Sequence, residues 1–171
     1  MRNKRPHLVR CVIYVLMVAL MLFGVPLYFL SRGVPLHDIR LWQLSRNFEA
    51  AASYHPRKSI VLERRTYLGG PYTHGSLACD YFVGELRLAP LPKEEIRHVY
   101  DGRSIQSFDN SGQVPLEVLF FGESIWPVNS PLGDWWDEWR ESPLIVASGT
   151  VYFVFAAQKG YPFLWDYRCD D

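Results

Sequence analysis

The sequence predicts an α+β protein: an N-terminal transmembrane helix, then a mainly antiparallel sheet of about five to seven strands with about two or three helices. Three observations carry that reading. Residues Cys11–Leu30, CVIYVLMVALMLFGVPLYFL, hold no charge and are bracketed by Arg10 and Arg32. From Ser59 onward, runs rich in β-branched and aromatic residues alternate with Gly, Pro and Asn turn signals. One late run, Thr150–Ala157 (TVYFVFAA), is apolar on both faces, as expected of a strand inside a sheet.

The first run comes first in the chain and sets the compartment. At ~1.5 Å rise per residue its twenty or so residues reach ~30 Å, the thickness of a bilayer's hydrocarbon core. In lipid such a segment must be helical, because only a helix satisfies its own backbone. Gly24 and Pro26 are tolerated there, and Pro26 is expected to bend the last turn. Tyr28 and Phe29 fall near the far interface. The tail Met1–Arg10 carries Arg2, Lys4, Arg5 and Arg10 and no acid, which keeps the N-terminus in the cytoplasm. The rest is then expected in the periplasm, with a bacterial inner membrane as the bilayer. A cleaved signal peptide is the rival, but the apolar core is long and Ser31-Arg32-Gly33 makes a poor cleavage site. The expected organisation is a basic tail (1–10), a signal anchor (11–30), a linker (31–36) and an exported domain (37–171).

Charge supports this division. The chain is neutral overall, with 18 cations and 18 acids, but the first thirty residues hold four cations and no acid, leaving 14 cations and 18 acids beyond. A mildly acidic exported domain is a poor nucleic-acid binder. Cys11 lies in the span, while Cys79 and Cys169 lie in the exported part, where oxidation is allowed, so one Cys79–Cys169 disulfide is expected. No Asn-x-Ser/Thr sequon occurs, which is in keeping with a bacterial envelope protein.

Gly33 and Pro35 read as helix breakers in the linker. Asp38–Ser53 reads as a helix with Asp38 as its cap and an apolar face of Leu41, Trp42, Leu44, Phe48, Ala51 and Ala52. It can pack on the domain core or lie on the membrane; the missing cationic face favours the core. His55-Pro56 ends it. Ser59–Leu68 is the first strand and Gly69-Gly70-Pro71 a turn. Leu77–Leu88 is the second strand, half-buried by its alternation, with Gly84 marking a bulge or a close approach. Leu91–Tyr100 is a short helix with Glu94 and Glu95 at its positive end, and His98 reads as a surface residue. Arg103–Phe108 and Pro115–Phe121 read as a hairpin around Asp109-Asn110-Ser111-Gly112. Gly122–Pro131 is loop and Gly133–Glu141 a short helix. Leu144–Ala147 and Thr150–Ala157 read as the remaining strands, around Ser148-Gly149, and Gln158-Lys159-Gly160 reads as a turn leading into Pro162–Tyr167.

The tryptophan helix is the most unusual motif. Trp135 and Trp139 lie four apart and share a face, while Trp136 points elsewhere. The simplest reading is that they cover the sheet. As a binding site, Trp135, Trp136 and Trp139 offer flat indoles, beside the carboxylates of Asp134, Asp137 and Glu138, to a sugar ring, and exposed indoles can instead meet a protein partner or the membrane interface. Glu63, Asp80 and Glu85 are candidates for acid–base chemistry, although Arg64 and Arg65 beside Glu63 favour plain ion pairing. His74, Cys79 and Asp80 fit no tight zinc spacing, and no nucleophile elbow, phosphate loop or dinucleotide fingerprint occurs, so no catalytic residue, metal or cofactor is assigned. The expected function is a non-enzymatic, membrane-anchored interaction module that binds an envelope protein. The alternative is a small cell-wall or glycan-processing enzyme using those carboxylates.

Overall fold

The computed structural model describes residues 5–31, 34–69, 78–121, 131–140, 149–162 and 166–169. Its N-terminal helix runs as α1 (Arg5–Ala19), a π-helical turn (Leu20–Gly24) and α2 (Val25–Ser31). Residues 10–30 are long and apolar enough to span a membrane, and none is buried in the domain. The π turn has a local cause. Pro26 has no N–H and its ring crowds the carbonyl four residues back, so the ladder slips. The N–H of Val25 accordingly donates to the carbonyl of Leu20, five residues back.

Helix α3 spans Val34–Ala50 and continues as a 3-10 turn, Ala51–Tyr54. The expected linker up to Leu36 is therefore shorter. Pro35 lies in the first helical turn, where its missing N–H costs no hydrogen bond. Asp38 lies inside the helix and pairs with Arg168 at 2.6 Å instead of capping. One face of α3 (His37, Leu41, Leu44, Phe48), with Ala51 just after it, meets the core, as helical spacing requires.

The main sheet is antiparallel, in the order β1 (Ile60–Gly69), β2 (Ala78–Ala89), β6 (Thr150–Pro162), β5 (Glu117–Phe120). The run that is apolar on both faces is thus a central strand, and it continues to Pro162 through Gln158-Lys159-Gly160, where a turn was expected, because β2 offers ladder partners as far as Ala78. A two-stranded ribbon pairs β3 (Ser104–Gln106) with β4 (Gln113–Pro115). A hairpin forms around the expected turn, but its returning strand is Gln113–Pro115, which shares only Pro115 with the expected Pro115–Phe121. After Leu116, whose N–H donates to the Arg103 carbonyl, the chain crosses to pair with β6 along Glu117–Phe120. One run of strand-forming residues therefore serves two sheets.

Strand β2 corrects a second expectation. Its alternation holds, with Tyr81, Val83, Glu85 and Arg87 on one face and Phe82, Leu86 and Leu88 on the other. Both faces are buried, because α3, α4 (Lys93–Tyr100) and the ribbon cover the first and α5 (Pro131–Arg140) the second. Gly84 marks a close approach and no bulge: a Cβ there would sit 2.9 Å from Phe82 Cζ and 3.0 Å from Phe155 Cβ. The register shifts fall instead between Val61 and Glu63 and between Cys79 and Tyr81.

Cys79 and Cys169 form a disulfide, with Cα atoms 5.1 Å apart across a sequence separation of 90. It ties the start of β2 to a 3-10 turn at Tyr167–Cys169. The expected strand at Leu144–Ala147, most of the expected Gly122–Pro131 loop, and His74 lie outside the described residues, as does the middle of the stretch Pro162–Tyr167.

Candidate functional site

The candidate carboxylates occupy three separate environments. Glu63, on edge strand β1, receives Trp135 Nε1–H at 2.6 Å and Trp139 Nε1–H at 2.5 Å on the same Oε2. Its Oε1 takes Arg65 Nε at 2.7 Å, and Arg65 also bonds Glu138. Burial pushes the Glu63 carboxyl up, but the two indole donors and Arg65 outweigh it and hold the carboxyl below its ordinary value. The i, i+4 spacing on α5 thus puts two indoles on one acceptor. Trp135 is 1% exposed and packs on Phe82 and Phe153. Trp136 is half-buried and stacks on Phe121 at 4.3 Å, whereas Asp137 is exposed. Of the four candidate binding residues, Trp135 is therefore core, Trp136 and Trp139 present partial surfaces, and only Asp137 is open to solvent.

Glu85 lies on the opposite face of the sheet, 1% exposed. Arg64 Nε reaches it at 2.8 Å and Arg87 binds its other oxygen. Arg87 in turn donates to Ser59 Oγ at 2.9 Å. The register sets this up, because Arg64 faces Glu85 directly across β1 and β2. Asp80 is buried elsewhere and accepts the Gly160 N–H at 3.0 Å. The three carboxylates do not converge, and among the described residues no group of three or more His, Cys, Asp or Glu side chains is arranged to hold a metal ion.

A feature that the sequence reading missed adjoins the Glu85 cluster. A cleft of about 600 Å³ opens between the segment after α3 and the end of α4, lined by Tyr54, His55, Arg57, His98, Asp101 and Arg103 among others. His98 is exposed, as expected. The His55 side chain is 7% exposed, with Nδ1 2.7 Å from the Tyr100 hydroxyl and Nε2 3.6 Å from Glu85 Oε2. The Tyr100 hydroxyl sits 3.3 Å from that of Tyr152. Burial, then the Arg87 charge, lower the His55 pKa from 6.5 to about 4; Glu85 opposes them and Arg64 assists. His55 is therefore a neutral imidazole at neutral pH.

The cleft wall is held by an unusual turn. Ser59 N–H donates to the Pro56 carbonyl at 3.0 Å, and Lys58 sits at φ 68°. Glycine normally takes that turn position, and a side chain there costs ~1 kcal/mol. The turn sets Arg57 on the wall. Across it the Arg103 guanidinium lies 5.0 Å from the Tyr54 ring centre. Two arginines against Asp101 make the cleft locally cationic within a mildly acidic domain. The only signal in the sequence was the cluster His55-Pro56-Arg57-Lys58; its partners lie more than forty residues on.

A second buried polar cluster surrounds the disulfide. His37 is fully buried, bonds the Tyr81 hydroxyl and lies 3.6 Å from Cys79 Sγ through Nε2. Asp166, also fully buried, holds Arg168.

These features define an α+β protein behind one N-terminal helix able to span a bilayer, a property that a signal sequence shares. No protein-family model matches the chain, and neither the curated proteins nor the solved structures yield a match.

Proposed function

We propose that the chain is a single-pass, membrane-anchored interaction module whose domain lies outside the cytoplasm, on the periplasmic side of an inner membrane, and binds an envelope protein. The observation that carries this reading is a buried disulfide downstream of an apolar helix of spanning length. Disulfides persist in oxidising compartments, and the helix supplies the route to one. The non-enzymatic part is supported by the carboxylates: Glu63 and Glu85 are occupied by fixed donors on opposite faces, an arrangement suited to structure more than to proton transfer. The alternative glycan-processing reading draws no support from that placement. The cationic cleft is the contact surface, and the partner presents an acidic segment to Arg57 and Arg103.

Two measurements test this. Alkylation of the chain in intact and reduced membranes should leave Cys79 and Cys169 unlabelled until reductant is added, and a reporter fused after Asp171 should be active only outside the cytoplasm. Affinity purification with Arg57→Glu and Arg103→Glu together should lose a partner that the parent chain retains. Retention of that partner, with loss on Asp137→Lys instead, would move the contact to α5.

A further inference from the structure

Outside residues 10–30, the large apolar side chains exposed among the described residues are few: Leu36, Ile39 and Trp42 on α3, and Ile60 and Val61 at the start of β1. The α3 group is not scattered. Ile39 (53% exposed) and Trp42 (56%) lie on the side of α3 opposite His37, Leu44 and Phe48, and Leu36 (41%) flanks them. All three sit in the first half of the helix, just after the apolar span. Further along the same side come Arg46 and Glu49, both exposed, so the surface turns polar as α3 moves away from the span. At the changeover the Arg46 guanidinium lies 4.9 Å from the Trp42 ring centre.

We infer that the outer side of the first half of α3 is immersed in the lipid–water interface, with Trp42 and Arg46 at headgroup level. The inference rests on residues 10–30 crossing the bilayer as an uncleaved anchor. Continuity makes the membrane the occupant: only two residues separate α2 from α3, so Leu36 cannot leave the neighbourhood of the bilayer surface. Tryptophan prefers that boundary because its ring is apolar and its N–H needs a polar partner, and an arginine beside it meets lipid phosphate. The helix is then amphipathic in two directions. Its inner side closes the protein core and its outer side seals the domain onto the membrane. A helix with this little cationic charge would bind lipid weakly alone, but the tether removes most of the cost of association.

The test uses the full chain with Cys11→Ser, reconstituted in phosphatidylcholine vesicles containing a minority of phosphatidylglycerol. Nitroxide labels are placed one at a time by Met17→Cys, Ile39→Cys and Glu49→Cys, and their accessibility to oxygen and to a water-soluble nickel chelate is compared. Label 17 should be oxygen-rich. The inference expects label 39 to favour oxygen over nickel several-fold more than label 49. If 17 is oxygen-rich while 39 matches 49, the domain stands clear of the bilayer and this inference fails while the anchor survives. If 17 is itself nickel-accessible, the anchor reading fails and takes this one with it. Immobilisation of label 39 with spin–spin broadening and no oxygen preference would assign the face to a second copy, which also overturns it.

Discussion

Trp135 Nε1 donates to Glu63 Oε2 at 2.6 Å across a sequence separation of 72, joining α5 to the edge strand β1. Trp139 shares the same oxygen, so one carboxylate anchors both indoles of the helix. Glu63→Ala leaves the buried Trp135 N–H without an acceptor and is expected to cost ~1–3 kcal/mol, read as a lower urea midpoint. Glu63→Gln keeps an acceptor oxygen and should cost less. Equal losses for the two variants would show that the charge facing Arg65, and not the indole bonds, matters.

Glu85→Ala leaves Arg87, itself buried, without its counter-charge. The expected loss is ~3–5 kcal/mol, because an isolated buried guanidinium carries its full desolvation penalty. Combining Glu85→Leu with Arg87→Met removes both charges and should recover most of that loss in a thermal melt. A double variant no more stable than Glu85→Ala would mean that the ion pair contributes more than it costs to bury.

The neutral His55 makes stability depend on pH in a defined window. Its folded pKa is about 4 and its ordinary value 6.5, so between those values the unfolded chain binds the proton more tightly. Stability therefore falls as pH drops through that window, by as much as ~3 kcal/mol. Denaturant titrations at stepped pH should show the slope, and His55→Gln should flatten it. Glu63 adds a separate loss at lower pH: its folded carboxyl lies below the ordinary 4.5, so its contribution is present above 4.5 and disappears as pH falls through the folded value.

The disulfide closes a loop with a sequence separation of 90. Converting both Cys79 and Cys169 to Ala is expected to cost ~4 kcal/mol in the chain-entropy account, seen as a lower denaturant midpoint. Reducing agent should destabilise the parent chain and leave the double variant unchanged. A parent that ignores reductant while its thiols titrate would refute the bond.

Much of this architecture is written locally. The apolar N-terminal helix follows from an uncharged run whose length matches a bilayer. The central place of β6 follows from TVYFVFAA, because a strand apolar on both sides needs cover on both. The shared face of Trp135 and Trp139 follows from helical spacing. The sequence misled where local chemistry had two solutions. Pro35 reads equally as a helix breaker or as a first-turn residue, and α3 takes the second. Pro115–Phe121 reads as one strand, but the chain changes sheets at Leu116. The alternation in β2 implied one wet face, and α5, arriving from fifty residues later, covers it.

The sequence by itself determined the apolar helix of spanning length, the pairing of Cys79 with Cys169, and the kinds of element and their polarity, since each depends on spacing within a few residues or on a simple count. The tertiary structure alone decided which charges meet. Glu63 is claimed by indoles from α5, Glu85 by Arg64 on β1, and His55 by a tyrosine on α4. Those partnerships depend on the strand order β1-β2-β6-β5 and on what packs on each side of it, and no local pattern encodes contacts between segments so far apart along the chain.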